Sequence, residues 1–89
     1  MKPTQLVDVK TEGLISLMGE KVLLFCFNYF YYGELVGVNE TCVKLQNVYQ
    51  VFETGKFSES TYKDAQKLAD EWYIQISAIE SFGKSFKNL

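Results

Sequence analysis

The chain of 89 residues carries eleven carboxylates against nine basic residues, every one of the latter a lysine, and it contains neither arginine nor histidine. Without His and Arg it lacks the usual general base, the commonest metal ligand and the side chain best suited to bidentate phosphate or guanine contacts, which argues against most enzyme classes. Seven Phe, six Tyr and one Trp within a 47% apolar composition are too many for a disordered chain and predict one small folded domain. Cys26 and Cys42 sit in separate apolar runs and not at a Cys-x-x-Cys spacing, so they read as reduced core thiols and not as a metal or redox pair. No stretch reaches the roughly eighteen apolar residues of a membrane span, and no signal-peptide pattern opens the chain. The expectation is a cytoplasmic protein without cofactor, metal or membrane partner.

Residues 1–10 mix polar side chains with Leu6, Val7 and Val9 and read as a short extended arm. Leu14, Ile15, Leu17 and Met18 then share a helical face, with Gly19 as a stop, predicting one or two helical turns. Lys21 to Phe27 is almost wholly apolar beyond its first residue and predicts a strand covered on both faces, with a tight turn at Asn28-Tyr29. Phe30 to Val38 returns as a second strand, in which Gly33 and Gly37 mark a bend, bulge or close backbone approach. After a turn at Asn39-Glu40, the alternation over Thr41 to Phe52 predicts a long third strand.

The polar segment 53–71 reads as a variable insertion. Within it Thr61-Tyr62-Lys63-Asp64 has the form of a capping box, and Ala65, Leu68, Ala69 and Trp72 follow at helical spacing, predicting a short surface helix over 61–72. The rival reading is an elongated hairpin that extends strands three and four. Trp72 to Ser77 alternates as strand four, Ala78 to Phe82 forms a very short strand five closed by Gly83, and 84–89 is a tail expected to fray.

The order of a short helix, three meandering strands, a polar insertion and two short strands resembles the Sm-like (LSm/Hfq) family. Leu14-x-x-Leu17-x-Gly19-x-Lys21-Val22 looks like that family's helix end and entry to its first strand, and Gly33-x-Leu35 with Val38-Asn39 looks like its first motif. Asn47 resembles the Asn that ends the matching run in the Hfq branch, and Ala78-Ile79-Glu80-Ser81-Phe82 is similar to the stretch around its last two strands. Gln75-Ile76-Ser77 stands where the Hfq branch carries Tyr-Lys-His, and Ile76-Ser77-Ala78 where the archaeal and eukaryotic branch carries apolar-Arg-Gly. Asn39 stands in place of the family's Asp, and the loop Glu40-Thr41-Cys42 lacks its base-contacting Asn. Such departures fit the divergent phage-encoded or metagenomic members and a bacterial or phage-infected cell.

The resemblance covers about residues 11–83 as a single domain and implies a strongly bent five-stranded antiparallel sheet, a small open barrel. It also implies a cyclic homo-oligomer of about five to seven subunits, in which strand four of one copy pairs with strand five of the next. The interface side chains would then be Trp72, Tyr73, Ile74, Ile76, Ile79 and Phe82. Single-stranded RNA would meet the turns through Asn28, Tyr29, Asn39, Thr41 and Ser77. A second reading is a structural or protein-interaction ring that has lost RNA binding, favoured by the absent Arg, His and loop Asn. A third is a peptide-binding SH3-type barrel, which would be monomeric. The aromatic run from Phe25 to Tyr32 suits base stacking at Tyr29 or Tyr31, yet alternation sends half of it inward as core. Lysines are interspersed with carboxylates such as Asp64, Asp70 and Glu71, which describes a mixed solvated surface and no catalytic cluster.

Overall fold

The computed structural model describes residues 12–89, so the expected arm over 1–10 lies outside the described residues. Strands β1 (Lys21–Cys26), β2 (Phe30–Val38), β3 (Cys42–Glu53), β4 (Asp64–Gln75) and β5 (Ile79–Lys84) form one antiparallel sheet in the order β4-β3-β2-β1-β5. This is the mainly β, five-stranded architecture that the sequence predicts. The helix before β1 is a 3-10 helix, Gly13–Leu17. With three residues per turn, Leu14 and Leu17 stack above one another and pack on the core, whereas Ile15 and Met18 face outward. Gly19 closes it at φ 82°, where its amide donates to the carbonyl of Leu35 at 2.7 Å.

Alternation places Val22, Leu24 and Cys26 on one face of β1 and Leu23 on the other, and all four are buried. The first face joins Leu35, Val43, Leu45, Val48 and Ile74 in the main core. The second face carries a smaller cluster of Leu23, Tyr32, Val51 and Tyr62, flanked by Phe25, Tyr49 and Ala65. Tyr32 meets Tyr62 edge to face at 5.5 Å, so much of the aromatic excess fills this second layer. Neither thiol is bridged; Cys26 is buried and Cys42 half-buried.

Bulges bend the sheet. Between the pairs Tyr32↔Tyr49 and Glu34↔Gln46, β3 has one residue more than β2, and Asn47 absorbs the excess at φ 50°. At this kink a Cβ on Gly33 would stand 3.0 Å from the carbonyl oxygen of Gln46, so the glycine permits the close strand approach expected of it.

The surface helix expected over 61–72 is not formed; the rival hairpin is present, with β4 running unbroken from Asp64 to Gln75 along β3. The misleading spacing has a structural cause. Leu68 is an extra residue in β4 opposite the Val48–Tyr49 step, so Ala65 pairs with Val51 and Ala69 with Val48, four residues apart on one strand and three on the other. A bulged strand therefore imitates helical periodicity. The tail also departs from expectation. Ser85 N donates to Lys21 O at 2.7 Å, Asn88 N donates to Ser60 O at 2.9 Å, and the Lys87 side chain is carried inward to 3% exposure. Unsatisfied carbonyls in the connection after β3 supply partners that no local sequence pattern announces.

Candidate nucleic-acid interface

Three turns come together where the bent sheet closes on itself: 27–29 and 39–41, from the two ends of β2, and between them the 3-10 turn Ile76–Ala78 that joins β4 to β5. They are tied by backbone bonds, Phe27 N to Ala78 O at 3.1 Å and Ile76 N to Thr41 O at 2.9 Å. The predicted residues Asn28, Tyr29, Asn39, Thr41 and Ser77 are thereby brought to this junction, and all five are exposed.

Asn39 already has work within its own turn. Its Oδ1 accepts from Thr41 N at 2.8 Å, Thr41 Oγ1 at 3.1 Å and Cys42 N at 2.9 Å, an Asx-type closure that a charged Asp is not needed to make. The same oxygen is consequently turned toward the backbone. Asn28 and Tyr29 instead border a cleft of about 380 Å3 whose aromatic walls are Phe27, Tyr29, Tyr31, Trp72 and Tyr73, with Gln75 and Ala78 at its end. Phe27 is 70% exposed, Tyr73 61% and Trp72 42%, so ring surface is open to a ligand. Tyr29 and Tyr31 lie edge to face at 6.5 Å. Burial, then the neighbouring Cys26 and Tyr29, push the Tyr31 phenol above its ordinary pKa, which keeps it a neutral donor.

Charge is sparse here. Lys44 lies 5.7 Å from the Tyr73 ring centroid and 3.3 Å from the Glu71 carboxylate. The hydrogen bond and charge of Glu71, with Tyr73, raise its pKa and keep it cationic. Elsewhere Lys67 pairs with Asp70 and Lys84 with Glu20. The junction therefore offers ring faces and amide groups much more than phosphate-neutralising charge, and what it can do chemically is stack planar groups. Among the described residues no group of three His, Cys, Asp or Glu side chains could hold a metal ion.

Neither family models nor curated proteins match this sequence. Among solved structures, an Sm protein of Pyrococcus abyssii in complex with a uridine heptamer superimposes with a TM-score of 0.58 over 81% of this chain and 92% of that chain, at 11% identity. The chain has the Sm fold. The Sm fold leaves β4 and β5 as the outer strands, and here those two edges differ in kind. The first part of β4 bears Asp64, Lys67, Asp70 and Glu71, charges that discourage pairing, whereas its last four residues, from Trp72 to Gln75, carry none. β5 is six residues long, half the length of β4.

The side chains expected at a subunit interface separate accordingly. Trp72, Tyr73 and Phe82 are exposed; Ile74 is 5% exposed and belongs to the main core; Ile76 and Ile79 are half-buried against that core. Sequence reading named Tyr29, Tyr31, Trp72 and Tyr73 but not the cleft that unites them, nor Gln75 as a residue of its rim. The signal for the cleft is the pairing of aromatic residues at the end of β4 with others in the first turn, which becomes visible only once the strand order is known.

Proposed function

We propose that this is a ring-forming, non-enzymatic Sm-type protein that binds single-stranded RNA at the three-turn junction. The observation that carries the reading is the open aromatic cleft between Phe27, Tyr29, Tyr31, Trp72 and Tyr73, on a fold shared with a protein that binds a uridine heptamer. Base stacking on such rings contributes about 1 to 3 kcal/mol per base. Assembly proceeds by pairing the uncharged end of β4 with β5 of the next copy, so that Trp72 and Tyr73 join Phe82 in the apolar contact at the border of the cleft, and the ring faces left to a base are those of Phe27, Tyr29 and Tyr31. Such a head-to-tail contact closes at about five to seven copies.

Titration of fluorescent oligo-uridine and oligo-adenosine by the assembled protein, at low and moderate salt, tests the binding. Saturable anisotropy at moderate salt is expected. Absence of saturation while light scattering reports a closed oligomer would replace it with the second reading, a structural or protein-interaction ring. Two features favour that alternative: Asn39 Oδ1 is occupied by its own turn, and Lys44 is paired with Glu71. A monomer at micromolar concentration would refute both readings.

A further inference from the structure

Lys87 is the buried charged residue among those described, and its surroundings are those of a cation site. Its ammonium donates to three backbone carbonyls of the connection between β3 and β4: Lys56 O at 2.6 Å, Thr61 O at 3.3 Å and Thr54 O. The face of Tyr62 lies 5.5 Å away. The acceptors of this ammonium are thus dipoles and a ring quadrupole, the combination that recognises ammonium ions, and no carboxylate is needed.

The carbonyl arrangement has supports of its own. Glu59 Oε1 accepts from Lys56 N at 2.9 Å, and Glu59 N donates to Lys56 O at 3.1 Å, closing a turn that fixes one of the three carbonyls. Gly55 permits this at φ 73°, since a Cβ there would come within 2.9 Å of Glu59 Oε1. The lysine is delivered by the segment that continues β5. Ser85 Oγ bonds the Tyr62 hydroxyl at 2.7 Å and donates to the carbonyl of Lys87 at 2.8 Å, while Thr61 and Asn88 form a parallel bridge. Tyr62 in turn roofs the second core over Leu23, Tyr32 and Val51.

We infer that the 54–61 connection is a primary-ammonium cage, filled in cis by Lys87, and that residues 85–88 form a strap whose occupancy of the cage holds this connection and Tyr62 against the sheet. The ligand class is a primary alkylammonium ion, since three N–H donors diverging from one nitrogen match three converging carbonyls. The strap is independent of RNA binding and of assembly.

Lys87→Ala in the full chain tests it by amide hydrogen exchange read by mass spectrometry. Exchange over 54–63 should accelerate about tenfold or more while β1 and β2 remain protected. n-Propylammonium chloride should restore protection in this variant, and tetramethylammonium chloride at equal ionic strength should not, because it has no N–H to donate. Unchanged exchange in Lys87→Ala, or equal effects of the two salts, would overturn the inference. Should Lys87→Ala be unfolded, refolding selective for n-propylammonium supports the cage, and refolding by neither salt or by both overturns it.

Discussion

Replacing Asn39 by Ala removes one oxygen that three donors share, and the cost can be worked out from its geometry. The bonds from Thr41 N, Thr41 Oγ1 and Cys42 N measure 2.8, 3.1 and 2.9 Å, and all three lie at the surface. Water can re-solvate each donor, so the loss resembles that of a helix N-cap side chain, about 1 to 2 kcal/mol, and not the sum of three buried bonds. For a domain of this size that lowers Tm by roughly 4 to 16 °C. Urea denaturation of wild type and Asn39→Ala at one protein concentration, followed through Trp72 fluorescence, reads the difference, the fixed concentration holding the contribution of self-association equal for two proteins that assemble alike. Because Thr41 O accepts from Ile76 N, the Ile76 amide should also exchange faster in the variant. Asn39→Asp keeps the acceptor and strengthens it with charge, so its stability at neutral pH should equal or exceed wild type. A loss below about 0.3 kcal/mol in Asn39→Ala, or a loss in Asn39→Asp equal to that in Asn39→Ala, would refute the assignment of this side chain to turn closure.

Leu45→Ala, in the fully buried centre of the main core, should cost about 2 to 5 kcal/mol by the same urea assay, whereas Phe57→Ala at an exposed ring pair with Phe86 should cost less than about 1 kcal/mol. Burial raises the phenols of Tyr32 and Tyr62 above their ordinary pKa, a rise that the Ser85 hydrogen bond partly offsets for Tyr62. The native state therefore holds these protons more tightly than the unfolded chain. The stability this contributes is complete below about pH 10, the ordinary tyrosine pKa, and is lost as pH rises through the folded values. Thermal scans should show Tm falling in that alkaline window, less steeply in Tyr62→Phe. Tyr29→Ala should weaken oligonucleotide binding by roughly 5- to 150-fold, the equivalent of one stacked base, with the oligomer mass unchanged by light scattering. Equal affinity for the two proteins would remove Tyr29 from the interface.

The fold was legible wherever burial is strictly alternate or two-sided. The expected bounds of β2 coincide with Phe30–Val38, because its ends are set by Asn28 and Asn39 in turns and its apolar residues need a partner on either side. The first half of β4 was hidden by Leu68, whose insertion destroys the period of two on which strand reading depends. The gathering of the three turns was legible through the family resemblance. The closure of Asn39 on its own turn was not, since an exposed Asn in a loop is equally suited to a ligand and to its own backbone. Lys87 was illegible for a different reason: its acceptors are carbonyls 26 to 33 residues earlier, groups that every residue possesses and that leave no mark in side-chain composition.

The extra residue at Leu68 also governs how the hairpin can change length. β4 on either side of the bulge is read two residues at a time, and the bulge shifts that reading by one, so removing Leu68 would make Lys67↔Tyr49 and Ala69↔Val48 successive pairs and leave Ala65 opposite Val51 over the second core. Losses or gains of two residues near the tip keep the parity and alter only how far the hairpin projects. Related chains should therefore differ in this arm by even steps, or by an odd step accompanied by the appearance or disappearance of a bulge.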